Sequence, residues 1–182
     1  QEYPVWAMAE PSEWVSTHLP TQGTVLDLAC GTGRHTRLAL GRGLTVVAVD
    51  RDLAGVEDLR GREGVELIEW DLEAGEGSWP PALEGRQFEA VVVVNYLFRP
   101  LLSRMVACAN LLIYETFQVG NEAFGRPRRP DFLLRPNELL HAVLPTMEVV
   151  AFQSGLQDRA DGSKAVKQMV VARRAAGAEQ AL

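Results

Sequence analysis

The sequence is poor in the residues that build metal centres and disulfide frameworks. Its 182 residues include two cysteines, Cys30 and Cys108, and three histidines, His18, His35 and His141. Two cysteines make no disulfide framework and the histidines lack zinc-type spacing, so no metal site is expected and a reducing cytoplasm is. Long apolar runs are missing as well. A stretch such as Ala90–Val94 falls far short of the ~18–20 residues that cross a bilayer, so no membrane association is expected. The N-terminus has no basic flank leading into an apolar run, so no signal peptide is expected. Lysine is scarce, with 2 Lys against 16 Arg, which reads as compositional bias.

What is present fits a globular chain. Hydrophobic residues make up 47% and charged residues 23%, which excludes a disordered polymer. The length suits one domain over residues 1–182, and no repeat or linker divides it. The net charge of −6 speaks against a general nucleic-acid binder. That charge is uneven. Residues 1–91 carry 16 acidic and 7 basic side chains, a balance of −9, whereas residues 92–182 carry 8 and 11, a balance of +3. The basic excess centres on Arg126, Arg128, Arg129 and Arg135.

Strands and helices alternate along the chain. Ser12 is a plausible N-cap and Pro20 a stop for a short helix carrying Trp14, Val15 and Leu19, within an N-terminal cap over residues 1–22. Buried strands are expected at 24–29, 44–49, 65–69, 88–94 and 111–117. Helices are expected after Gly33 through Leu40, from Asp52 to about Arg60, from about Pro100 to Ala109 and from Pro136 to Leu144. Residues 72–87, with Pro80 and Pro81, read as a loop or degraded helix. Two last strands, 147–152 and 165–172, flank the hairpin signal Asp161-Gly162. Such alternation implies right-handed βαβ units. The expected fold is α/β, a three-layer sandwich with a Rossmann-like, mostly parallel seven-stranded sheet ending in an antiparallel hairpin.

In open parallel sheets, ligands bind beyond the C-terminal ends of the strands. The polar residues sit there. Asp27-Leu-Ala-Cys-Gly31-Thr-Gly33-Arg34 follows the first strand, and Asp50 closes the second, where a carboxylate can accept both hydroxyls of a ribose. Asp71 follows the third, within reach of an adenine amino group; Asn95-Tyr96 follow the fourth, and Glu115-Thr116 end the fifth. The segment VLDLACGTGRHTRLALGRGLTVVAVDRD, with these acidic positions in order, resembles the opening of class I S-adenosylmethionine-dependent methyltransferases. Within that superfamily the chain is similar to small tellurite-resistance-type methyltransferases.

The resemblance implies S-adenosylmethionine as cofactor and S-adenosylhomocysteine as product. It implies that Asp27 meets the methionine amino end, that Ala29, Cys30, Gly31 and Gly33 line the methionine and ribose through backbone groups, and that Arg34 meets the methionine carboxylate. Asp50, beside Arg51, would take the ribose hydroxyls. Asp71 and Leu72 would hold the adenine, and Asn95 would close the methionine side. Two features depart from the pattern: Ala107-Cys-Ala-Asn110 replaces the usual Pro-Gly-Gly turn, and the third helix is degraded. A dinucleotide-binding reading needs G-x-G-x-x-G, and the third glycine is missing here.

The function implied is methyl transfer to a small-molecule acceptor by in-line displacement. Glu115 and Tyr96 are the candidate bases for an acceptor that must lose a proton. The 119–136 loop, rich in Pro and Arg, reads as a lid. Arg126, Arg128 and Phe132 on it, and Trp14 on the N-terminal helix, are candidate substrate contacts. Two alternatives stay open: a non-catalytic cofactor-binding protein or partner subunit, and an RNA methyltransferase using the arginine loop.

Overall fold

The computed structural model describes residues 9–175. Its elements are α1 (Glu13–His18), β1 (Thr24–Leu28), α2 (Arg34–Gly41), β2 (Thr45–Asp50), β3 (Val65–Glu69) and β4 (Phe88–Val94). They continue with α3 (Leu102–Ala107), β5 (Ala109–Phe117), α4 (Glu138–Val143), β6 (Met147–Asp158) and β7 (Lys164–Arg174). The seven strands form one sheet in the order β3-β2-β1-β4-β5-β7-β6. Strands β1 to β5 pair in parallel, while β7 is antiparallel to both β5 and β6.

Alternation along each strand makes two cores. Leu26, Val47, Val91 and Tyr114 point to the face covered by α3 and α4. Val25, Val46, Val92 and Ile113 point to the face covered by α1 and α2. Both faces are covered, so the strands read as continuous Val/Leu/Ile runs. This is the expected three-layer sandwich with its C-terminal hairpin. Among the described residues no helix is long and apolar enough to cross a membrane.

Several expected elements differ in kind or extent. The expected helix from Asp52 to Arg60 is a 3-10 turn over Ala54–Leu59. The Asp52 carboxylate accepts from the Ala54 N–H and opens it as a local turn. The helix before β5 is shorter than expected because a 3-10 turn at Arg99–Leu101 takes its first residues and the chain enters β5 directly from Cys108. Helix α4 begins at Glu138, not Pro136, since Asn137 is left-handed at φ 63°. The hairpin strands run well past their expected ends. Their extension pairs Lys164 with Asp158 at 2.7 Å, while Lys167 and Gln168, within the expected part of β7, pair with the C-terminal end of β5.

Candidate active site

Two adjoining clefts open at the C-terminal ends of β1, β2, β4 and β5. The larger has a volume of about 920 Å³ and the smaller about 240 Å³. Ala29 and Asn95 line both, so they mark the junction. These two residues follow adjacent parallel strands, and both hold left-handed backbone, at φ 58° and 55°. For non-glycine residues that conformation costs energy, and such positions cluster at functional sites.

The loop between β1 and α2 forms the floor. Gly31 sits at φ 56° with open space where a Cβ would project, and its N–H donates to Asp50 Oδ2 at 2.9 Å. The Asp52 N–H donates to Asp50 Oδ1 at 3.0 Å. Two backbone donors thus fix the Asp50 carboxylate on the rim of the larger cleft. Gly33 is needed for a different reason: at φ 79°, a Cβ there would lie 2.5 Å from Val56 Cγ1. Arg37 ties the same loop to the 3-10 turn. It donates to Thr32 O at 3.2 Å and Gly55 O at 3.0 Å, and pairs with both oxygens of Asp58 at 2.6 and 2.8 Å.

Asp27 is 3% exposed and lines the smaller cleft. It accepts from the Thr36 hydroxyl at 2.7 Å. Burial pushes its pKa up to about 6, with the Thr36 hydrogen bonds and Arg34 opposing the rise. Cys30 lines the same cleft and its thiol is pushed well above its usual range by burial, so it is inert packing. Arg34 also lines this cleft, and its guanidinium donates to Glu10 O at 2.9 Å.

The larger cleft draws its lining from both ends of the parallel part of the sheet, after β2 and β3 and after β5. Asp50, Asp71 and Glu73 stand at one end, with Trp70, Leu72 and Arg51. Arg126, Arg128 and Arg129 stand at the other, with Phe117 and Phe132. Tyr96 lines the cleft as expected, and its hydroxyl lies 3.4 Å from Glu73 Oε2. Burial, and then the Glu73 charge, push its pKa well above the usual phenol range, which makes it a poor base.

Three expected site residues line neither cleft. Trp14 packs in the α1/α2 core and donates to Val170 O at 3.2 Å. Gly33 serves packing against Val56. Glu115 is 3% exposed, sealed beneath the N-terminal segment. One of its carboxylate oxygens accepts from the Ser12 hydroxyl and the other from Lys167 at 3.3 Å. Strand alternation puts Glu115 on the α1/α2 face with Ile113, while Thr116, the next residue, lines the larger cleft.

Lys167 was not foreseen as a site residue. It is 8% exposed, pairs with Glu115 and donates to Asn95 Oδ1 at 2.7 Å. Burial pulls its pKa down and Glu115 opposes the fall. One signal was available: a charge inside an apolar strand, the same signal that marked Asp27. Thr36, Arg37 and Phe117 gave no such signal. Among the described residues, no group of three or more His, Cys, Asp or Glu is placed to hold a metal ion.

Comparison with known proteins agrees with this geometry. A family model described as Methyltransferase domain matches residues 25–111, the segment from β1 into β5. Over that segment the chain matches the methyltransferase domain family. A curated relative, the cypemycin N-terminal methyltransferase of a Streptomyces species, is 35% identical over 86 residues. The match covers 47% of this chain and 34% of that protein, so the chain spans about a third of that methyltransferase's length. Among solved structures, TehB from Haemophilus influenzae superposes with a TM-score of 0.64 at 18% identity, covering 85% of this chain and 58% of TehB. The glycopeptide N-methyltransferase MtfA, solved with S-adenosylhomocysteine, superposes at 0.59 with 16% identity, covering 90% and 87%. At these identities the structural likenesses show the methyltransferase fold. The cofactor of the superfamily is S-adenosylmethionine.

Proposed function

We propose that this methyltransferase domain binds S-adenosylmethionine across the two clefts and transfers its methyl group to a small-molecule acceptor in the larger one. The observation that carries the reading is the Asp50 carboxylate, fixed by the Gly31 and Asp52 N–H groups at 2.9 and 3.0 Å at the end of β2. Held this way, it keeps lone pairs for the two hydroxyls of a ribose. The open space above Gly31 lets a ligand lie against the backbone. Asp71 and Leu72 suit the amino group and face of an adenine, and Asp27, at the floor of the smaller cleft, suits an amino group. Arg34 lies in the same cleft and suits a carboxylate.

Bound S-adenosylmethionine supplies an electrophilic methyl carbon that is displaced in line. The chain's own contribution is alignment and exclusion of water. Glu115 is sealed in an ion pair and Tyr96 is held protonated, so neither removes a proton from the acceptor. The reading therefore favours an acceptor whose nucleophile is already ionised or soft enough to react without a base. Cys30 and Cys108 are both free thiols, which fits a cytoplasmic setting.

Calorimetric titration of S-adenosylmethionine and S-adenosylhomocysteine, with NAD as control, tests the reading. Both should bind and NAD should not. Asp50→Ala should weaken both by about tenfold or more, the loss of charge-assisted hydrogen bonds. Failure of the unaltered protein to bind either nucleoside would end the proposal.

A further inference from the structure

We infer that the acceptor is an anion with an apolar body, its negative group held by Arg126, Arg128 and Arg129. The inference rests on the methyl-transfer reading above and names the acceptor class for that site. Three observations carry it.

The first is the unbalanced charge. None of the three arginines forms an ion pair among the described residues. Of the carboxylates of neighbouring sequence, Glu122 accepts from the Gly120 N–H at 2.7 Å and Glu138 is clamped by Arg99 at 2.7 and 2.9 Å, while Asp131 forms no ion pair with any of the three. Three exposed cationic side chains line one cleft, and their summed field favours an anion there.

The second is that the loop is anchored on both sides of the arginines. Before them, Asn121 is 1% exposed, donates to Pro127 O at 3.0 Å and accepts from the Val166 N–H at 3.0 Å. After them, Arg99 donates to Leu133 O at 2.8 Å. The fully buried Gln168 donates to Arg135 O at 3.0 Å and accepts from the Leu139 N–H at 2.7 Å. A loop pinned this way has its backbone ordered before binding, so that only the arginine side chains order around an anion.

The third is the apolar surface next to them. Phe132 is 44% exposed and lines the cleft with Phe117 and the arginines. An apolar body with a terminal carboxylate, phosphate or sulfonate meets both features. The nucleoside, with its hydroxyls and amino group, matches the acidic residues after β2 and β3.

Benzoate and benzamide form a matched probe pair, since they share a ring and differ in charge. Each is titrated into protein labelled with nitrogen-15 at arginine, free and saturated with S-adenosylhomocysteine, and the Nε–H signals of the three arginines are followed by NMR. Benzoate should give saturable shifts at these arginines in the millimolar range and benzamide none. The triple variant R126Q/R128Q/R129Q should lose the benzoate response, with the affinity for S-adenosylhomocysteine within about twofold of the unaltered protein. Equal responses to both probes, or no saturable response, overturn the inference. Loss of S-adenosylhomocysteine binding in the triple variant also overturns it, because the arginines then serve the cofactor. So does tight, salt-sensitive binding of RNA oligonucleotides that displaces benzoate, which assigns the arginines to phosphate backbone. Failure of the unaltered protein to bind S-adenosylhomocysteine is a separate result and falls on the methyl-transfer reading.

Discussion

The Lys167 ammonium donates to Asn95 Oδ1 at 2.7 Å and thereby decides which end of the Asn95 carboxamide faces the clefts. An ammonium group has only donors, so the carbonyl oxygen must face it. The NH2 end is left for the junction of the two clefts, where Asn95 lies. In the proposed cofactor site, Lys167 would therefore act by positioning Asn95.

If Lys167 acts this way, its loss and the loss of Asn95 must overlap. Lys167→Met and Asn95→Ala should each weaken S-adenosylhomocysteine binding by about tenfold, and the double variant should be no weaker than the worse single one. Calorimetric affinities for the four proteins give the cycle. Additive losses would detach Lys167 from Asn95. Rescue of affinity by Lys167→Arg separates positioning from simple loss of fold.

Glu115 lies at a strand end, where a base would be sought, yet its environment is that of a structural anchor. Its two oxygens serve Ser12 and Lys167, and it joins the N-terminal segment to β7. Glu115→Gln removes the charge opposite a buried ammonium, which typically costs about 3–5 kcal/mol in stability. The expected outcome is a clear fall in Tm, with kcat for an identified acceptor keeping the acid limb of its pH profile unchanged. A pH–rate profile that loses that limb in the variant would restore Glu115 as a base.

The order of strands, the glycine loop and the acidic strand ends were legible in the sequence because each is local. Apolar runs and the turn residues after them mark their own positions. The role of Glu115 was not legible, because it depends on which face of β5 the residue occupies and on a partner 52 residues away. Trp14 was likewise ambiguous: an aromatic on a capping helix can face the cleft or the sheet, and Val170 O settles it. Residues 54–59 carry a helical pattern, but Gly55 sits where a Cβ would meet Gly31 O at 2.7 Å, so the turn is set by the loop it packs on. Arg126, Arg128 and Phe132 were visible as a cluster, whereas the anchors that hold them, Asn121 and Gln168, lie in different elements.

Gly33 carries two constraints at once. Its φ of 79° is strained for any L side chain, and an added methyl group would strike Val56 Cγ1 at 2.5 Å. Gly33→Ala should destabilise the protein by about 2–4 kcal/mol, the sum of a left-handed backbone penalty and local overpacking. Denaturant unfolding measures the loss. A change below about 0.5 kcal/mol, the range of neutral surface substitutions, would show that the loop relaxes freely.

The two buried titratable groups at the smaller cleft bias stability in opposite directions. His35 accepts from the Ser12 N–H at Nε2, 3.0 Å away, and burial, with Arg34 and Lys167 nearby, lowers its pKa from 6.5 to about 4. A depressed pKa means that the unfolded chain binds the proton first. Its stabilising effect is therefore full above pH 6.5 and is lost as pH falls toward 4. Asp27 is raised from 3.8 to about 6, so the folded chain binds its proton first. Its effect is full below pH 3.8 and is lost as pH rises through 6. Between about 4 and 6 the two slopes largely cancel in the unaltered protein. Asp27→Asn removes one of them, and its stability should fall steeply with acid over that window, by roughly 3 kcal/mol at full extent. Chemical denaturation at a series of pH values reads the difference, and parallel curves for the two proteins would refute it.

Asp27 also links cofactor affinity to pH. In the proposed site its carboxylate meets an amino group, and only the ionised form does so with full strength. With a pKa of about 6, the acid is mostly ionised at pH 8 and mostly protonated at pH 5. Affinity for S-adenosylhomocysteine should therefore be level above pH 7 and fall by up to about tenfold per pH unit below 6. The sign follows from binding favouring the deprotonated state, so that protons and ligand compete. Asp27→Asn should bind more weakly at pH 8 and lose this pH dependence. Calorimetry in two buffers of different ionisation heat adds an independent reading: near pH 6 the unaltered protein should release a fraction of a proton on binding, and the variant should release none. Proton release that persists in Asp27→Asn would assign the titration to another group.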